Sequence, residues 1–363
     1  MKKVLFVIGT SLQNAGVPHV VMHIVRALHD RYRFDVVVGG EEPGFFDEEF
    51  LSFGGQIFRC PLANNTGSKF GFWQKWRQLV RFVKPILSRQ EYDVVHCHNG
   101  FEAAAVLRIA TRRNVPIRVA HSHGYYPIGG KNILSRMYKI YCRKTINRTA
   151  TARLACSTKA GDSLYGGAPY ANVLNPIDLS YYQFEKEPHD GLNLIQIGYY
   201  NRLKNQLFSL RVLKELRDRG VPAALHFIGY SCGEQYVERM QEYVQKEGLT
   251  EAVHFLASDF PKKDILPRMD FLLLPSTSEG LPLVILEGQA ARVCCVASSV
   301  VCKDVDMGLF HTLPIDSPSA WADFILGYRP GEDTLDTEKI AGLDIGAYVS
   351  KIVSVYEYVD RKE

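Results

Sequence analysis

At 363 residues, 46% hydrophobic and 23% charged, the chain has the make-up of a folded protein and exceeds one ordinary core, so two domains are expected. No apolar run approaches the roughly 18–20 residues that cross a bilayer, and the opening MKKVLFVIGTS is too short in apolar residues for a secretory signal, which argues for a cytoplasmic protein starting in a buried strand. The net charge of +4 hides an asymmetry: Lys and Arg outnumber Asp and Glu by 24 to 11 up to residue 175 and are outnumbered 19 to 28 beyond it, which gives the first half a surface role.

In chain order, short β-rich apolar runs alternate with longer helical patterns. Strands are predicted at 3–9, 34–39, 93–97, 117–122 and 152–157, with helices at 18–30, 70–89, 100–113 and 131–149 between them. The stretch VLNPIDLSYYQFEKEPHDG (173–191) interrupts the series and reads as a domain boundary. Strands resume at 192–198, 224–229, 252–257, 270–276 and 293–298, with helices notably at 204–219 and 233–248. Apolar strands alternating with helices predict parallel, doubly wound sheets, in which ligands bind beyond the carboxyl ends of the strands. The eight cysteines contain no C-x-x-C pair and several sit in apolar runs, as free buried thiols do in a reducing compartment.

One block after a strand stands out. In LLLPSTSEGLPLVILEGQAA (272–291), Glu279 falls on a loop and Glu287 in the helix that follows, with Pro282 near its first turn. Two carboxylates this close could be an acid/base pair, two separate hydrogen-bond acceptors, or solvated surface. Gly280 lets a ligand approach the backbone, and the free N–H groups after it suit an anion or a sugar hydroxyl.

The block resembles the E-x(7)-E signature of the retaining glycosyltransferases of family 4, which have the GT-B fold. NAGVPHVVMHIVRAL (14–28), DVVHCHNG, VAHSHGYY, LNPID and IGYYNRLKNQ follow the order and spacing of the other motifs of that family, in the manner of bacterial capsule and exopolysaccharide enzymes. The resemblance implies two Rossmann-like domains facing across a cleft: an acceptor domain at 1–175, joined by a returning helix within 345–363, and a nucleotide-sugar domain at 176–344. It implies transfer of a hexosyl unit, with retention, from a nucleotide sugar, UDP-linked, to a glycan or lipid-linked acceptor.

Residue by residue, the resemblance places Glu279 with the backbone of Gly280 and Leu281 on donor-sugar hydroxyls, and Glu287 on the ribose. Lys204 falls on the diphosphate, with Gly198 beside it and Gly16 in the first loop, and His121 or His123 stands beside the transferred sugar. Tyr199 stands where the family has an arginine, and Arg202 is the nearest replacement; Pro18 replaces the glutamate of G-G-x-E, and Pro176 the glycine of N-G-I-D. No metal and no other cofactor is expected, because no carboxylate cluster accompanies His96/His98 and His121/His123, and DVD (304–306) lies beyond the E-x(7)-E helix.

The basic half points to a surface. Residues 72–89 and 131–153 interleave cations with Trp, Tyr, Ile, Leu and Met, the pattern of helices that lie on anionic lipid at the inner face of a membrane. Nucleic acid is not expected, since no recognition motif accompanies the charge. Alternatives to transfer are a nucleotide-sugar 2-epimerase of the same fold and a non-catalytic sugar-binding protein. A dinucleotide oxidoreductase is set aside because GTSLQNAG follows the first strand where G-x-G-x-x-G would be needed.

Overall fold

The computed structural model describes residues 1–61, 71–129, 132–230 and 234–357. Phe70, Lys131, Cys232, Gly233 and residues 358–363, which enter the elements and motifs predicted above, lie outside the described residues. The chain divides into two compact units, Met1–Pro176 with Ile345–Glu363, and Ile177–Asp344.

The first unit holds a seven-stranded parallel sheet in the order β3-β2-β1-β4-β5-β6-β7. Its strands are β1 (Lys2–Val7), β2 (Tyr32–Gly39), β3 (Ile57–Cys60), β4 (Val94–Cys97), β5 (Ile117–Ser122), β6 (Ala152–Ala155) and β7 (Ala171–Asn172). Its helices are α1 (Gly16–Leu28), α2 (Asp47–Ser52), α3 (Gly71–Arg89), α4 (Ala103–Arg112), α5 (Ile133–Thr149) and α6 (Thr158–Tyr165). Side chains alternate across each strand and both faces are covered. Leu5, Val7, Val95, Cys97 and Ala120 pack under α3, α4 and α5. Val4, Phe6, Val94 and Val119 point the other way, into a core shared with α1.

The second unit holds a six-stranded parallel sheet in the order β10-β9-β8-β11-β12-β13. Its strands are β8 (Leu192–Ile197), β9 (Ala223–Ile228), β10 (Val253–Leu256), β11 (Phe271–Leu274), β12 (Cys294–Ser298) and β13 (Phe310–Leu313). The helices are α7 (Gln206–Asp218), α8 (Glu234–Lys246), α9 (Leu283–Ala290), α10 (Pro318–Gly327) and α11 (Thr337–Ala341). α9 lies close on the sheet because residue 288 is glycine: a Cβ there would stand 2.7 Å from Cys295 Sγ and 3.0 Å from Leu272 Cδ1. Entry and exit of this unit run side by side, with Ile177 bridged in parallel to Asp344. The exit feeds α12 (Ile345–Tyr356), whose Tyr348, Val349, Ile352 and Tyr356 complete the core of the first unit beside Val4 and Phe6.

In each sheet the strand order reverses once, between β1 and β4 and between β8 and β11. Diverging crossovers leave a crevice at the carboxyl ends there, which is where open α/β sheets bind ligands. Three strands escape the sequence reading for physical reasons. β3 and β13 are four residues each, with Arg59 and His311 breaking the apolar run, and β7 is two exposed residues held by one neighbour. Among the described residues all seven cysteines are free, six of them buried.

Candidate active site

The crevice of the second unit is built from the turn after β8 and the loop after β11. Gly198 leaves β8 at φ +143, a region that side chains avoid, and the arm of Lys204 lies against it: a Cβ at 198 would stand 3.5 Å from Lys204 Cε. Buried amides fix this turn. Gln196 donates to the Lys204 carbonyl (2.7 Å) and accepts from the Ser209 hydroxyl (2.7 Å), while Gln206 donates to the Tyr199 carbonyl (2.8 Å). The Lys204 N–H donates to Asn201 Oδ1 (2.9 Å).

The same turn is stitched to the loop carrying the first glutamate. The Thr277 N–H donates to the Leu203 carbonyl (2.8 Å), and the Asn205 amide, on a left-handed residue at φ 54, donates to the Pro275 carbonyl (3.2 Å). The result brings two residues 75 apart in sequence into contact: Lys204 Nζ donates to Glu279 Oε1 at 2.7 Å. The Glu279 side chain is only 10% exposed, so its charge is met by a cation instead of by water.

Glu287 sits in the second turn of α9, behind Pro282 at the N-cap position, and has a different set of partners. Lys262 Nζ donates to its Oε2 at 2.5 Å, and the Tyr182 hydroxyl is hydrogen-bonded to it as well. Burial, together with the Glu287 charge, holds the Tyr182 hydroxyl protonated well above its ordinary range. The two carboxylates therefore have separate partners, each bound to its own lysine. Neither Lys262 nor Tyr182 is identified by sequence reasoning. Lys262 opens a short 3-10 turn after β10, and only its position past a strand's carboxyl end could have marked it; Tyr182 lies in the stretch read as a boundary.

Leu281 is buried and Gly280 partly so, the Gly280 carbonyl lying 3.8 Å from Cys302 Sγ. Tyr199 sets its ring edge-on to Tyr230, centroids 4.5 Å apart, and Arg202 is exposed beside Tyr236. Neither takes part in the ion pairs of Glu279 and Glu287.

The remaining predicted residues belong to the first unit. Gly16 opens α1, exposed, and a Cβ there would meet nothing within 4 Å, so packing within its own unit does not require a glycine. His121 ends in the core at 1% exposure, whereas His123 keeps some surface. The His121 ring lies against both His96 and His98 from the neighbouring strand end, and the His123 ring stacks on His98. Burial pushes the His123 ring down to about 4, partly opposed by Asn175, and holds the other three well below the ordinary histidine range.

A family model described as glycosyl transferase 4-like domain matches residues 15–173, and one described as glycosyl transferases group 1 matches residues 192–328. The chain belongs to the family 4 (group 1) glycosyltransferases. The transferase retains anomeric configuration, as its family does, and its two parallel sheets are the GT-B pair. It is 27% identical to EpsF of Bacillus subtilis (strain 168), a glycosyltransferase by name, over 100% of this chain and 98% of EpsF. It is 22% identical to the capsular polysaccharide biosynthesis glycosyltransferase CapH of Staphylococcus aureus, over 81% of this chain and 80% of CapH. Among solved structures it is similar in fold to Anabaena HepE, crystallised in complex with UDP and glucose, at a TM-score of 0.72 and 16% identity, covering 98% of this chain and 99% of HepE.

Proposed function

We propose that the transferase moves a hexosyl unit from a UDP-linked nucleotide sugar to a glycan or lipid-linked acceptor in cell-surface polysaccharide synthesis. The Lys204–Glu279 pair at the switch point of the second sheet carries this reading. It sets a cation and an acceptor-only carboxylate side by side, the two groups needed by a diphosphate joined to a hydroxyl-bearing sugar. The capsular role of CapH and the UDP and glucose bound by HepE support the choice of pathway class and donor.

In this reading Lys204, with the loop amides near Gly280 and Leu281, stabilises charge on the departing diphosphate. Glu279 orients the donor sugar, and Glu287 accepts from the ribose hydroxyls. The leaving diphosphate itself takes the acceptor proton on the face it leaves, so no carboxylate nucleophile and no metal at the diphosphate is required. His123, which keeps exposed surface, is the histidine assigned to the acceptor side.

The acceptor reading has its own support in the first unit. Among the described residues no helix is long and apolar enough to cross a membrane. Yet α3 and α5 leave Trp73, Ile133, Leu134, Met137 and Tyr141 exposed, next to exposed Arg77, Arg136 and Lys144. That combination fits peripheral contact with an anionic membrane carrying a lipid-linked acceptor.

The test is transfer from a panel of nucleotide sugars to a lipid-linked acceptor by the wild type and by Lys204→Ala and Glu279→Ala. Losing the cation at the leaving group should lower kcat about 10²–10³-fold, with unfolding transitions preserved. Unchanged turnover in both variants would sink the assignment, and donor conversion without any acceptor would point to an epimerase instead.

A further inference from the structure

The four histidines of the first unit do more than pack. In a strand, residues i and i+2 point to the same face. His96 and His98 therefore project together from the end of β4, and His121 and His123 from the end of the adjacent β5. One ring nitrogen from each of His96, His98 and His121 can be chosen so that all three lie within 4.8 Å of one another.

The other ring nitrogens explain why this is a site. His96 Nδ1 is engaged by the Tyr356 hydroxyl of α12 at 2.8 Å, and His98 Nδ1 by His123 Nε2 at 2.8 Å. Such outer partners on Nδ1 fix the ring and its tautomer and turn Nε2 inward, the arrangement found behind metal-bound histidines. Protein satisfies these three Nε2 atoms poorly. His98 Nε2 and His121 Nε2 are buried with no hydrogen-bond partner, on side chains 3% and 1% exposed. His96 Nε2 has only a long 3.3 Å contact to His121 Nδ1. Leaving a buried nitrogen without a partner is costly, and here it happens at two of the three inward Nε2 atoms.

A second cluster among the described residues shows the contrast. Cys294, His311 and Asp333 also come within ligand distance, but His311 Nε2 already pairs with Asp333 Oδ2 at 2.6 Å, and Tyr328 bonds both Cys294 and Asp333. That group satisfies itself.

We infer that His96, His98 and His121 form a binding site for one divalent transition-metal ion of the zinc type, with Tyr356 and His123 as outer partners that orient the ligands. Three neutral imidazoles make a complete protein ligand set for zinc without any carboxylate, and they select it over magnesium or calcium. The expectation of no metal rested on the missing carboxylate cluster, which this donor set does not need. The ion ties the ends of β4 and β5 to the returning helix α12, so its role is to hold the first unit's strand ends in place. It is independent of the diphosphate chemistry proposed above.

The experiment uses the full chain purified without a histidine tag, with metal content measured by plasma mass spectrometry. The chelator-stripped protein is then titrated with zinc by calorimetry and with cobalt by visible spectroscopy. Binding of one equivalent is expected, with ligand-field bands of histidine-bound cobalt and a rise in melting temperature on adding zinc. His98→Asn and His121→Asn should weaken binding at least about 100-fold, and Tyr356→Phe about 10-fold or more. Substitution of the stacked pair His226 and His254 of the second unit (centroids 4.7 Å apart), as His226→Asn with His254→Asn, should leave it unchanged. Two results would overturn the inference. One is absence of saturable binding by the wild type, which would assign the orphaned nitrogens to buried water. The other is equal binding by the wild type and a folded His98→Asn variant.

Discussion

At the scale of single residues, the site is decided by which cation meets which carboxylate. Glu279 and Glu287 are read together in the sequence because they sit eight positions apart, yet the loop-to-helix transition at Pro282 sends them to different partners, Lys204 and Lys262. Lys262 acts through Glu287: it neutralises a side chain only 16% exposed and holds one of its oxygens while Tyr182 holds the group as well. If Glu287 holds the ribose as proposed, Lys262→Ala should raise the KM for donor about tenfold, worth ~1.4 kcal/mol, with kcat little changed, because such binding contributes equally before and during the reaction. Steady-state kinetics with varied donor check this, and an equal fall in kcat would move Lys262 into the reacting centre. Tyr199 marks the limit of motif reading. Its place in the pattern belongs to a cation, but its ring lies edge-on to Tyr230, and Lys204 is the cation that reaches Glu279.

At the scale of elements, strand ends and one helix matter most. The strands that carry the candidate residues are legible because both faces are buried, which makes them continuous apolar runs. β3, β7 and β13 are not, because their short pairing is supplied by neighbours and not by their own composition. α12 is expected only through the resemblance, as a returning helix, and what holds it is a network at its end. Glu357 receives bonds from Lys2 and the Tyr32 hydroxyl, with Arg31 nearby, and its carboxyl is held down to about 2. A carboxyl whose folded value is depressed stabilises the protein above its unfolded value near 4.5, and loses that contribution as pH falls toward 2. The network is partly exposed and screened, so Glu357→Gln should cost about 0.5–1 kcal/mol at pH 7, roughly 1–4 °C in melting temperature. Thermal melts from pH 7 to 2.5 should show the gap between wild type and variant closing between about pH 4.5 and 2. A gap that persists at the acid end would rule out Glu357 ionisation as its source.

At the scale of the whole molecule, the division of charge gains a physical location. The excess of cations before residue 175 includes exposed Arg77, Arg136 and Lys144 beside the uncovered apolar side chains of α3 and α5, while all the candidate donor residues except Gly16 lie in the acidic second half. Ile133 and Met137, 65% and 61% exposed, are the largest apolar surfaces on that face. Replacing both by serine should weaken binding to anionic vesicles by about tenfold or more, and raised salt should release the wild type, since both apolar insertion and screened charge contribute. Vesicle co-sedimentation across salt concentrations measures it. Equal binding by the double variant would remove Ile133 and Met137 from the lipid contact and leave the charge alone to account for it.

The sequence by itself determined what depends on local pattern. Alternating apolar strands and helices specify two parallel sheets, Gly280 marks a close approach of backbone, and the spacing of Glu279, Glu287 and Lys204 with their flanking motifs carries the family. The tertiary structure decided what depends on distance in space. It joined Lys204 to Glu279 across 75 positions, brought Lys262 and Tyr182 to Glu287, and returned Tyr356 to His96 across 260. It also gathered His96, His98 and His121 around unpartnered nitrogens. No local periodicity encodes these pairings, because each is fixed by strand order and by which face a strand turns inward.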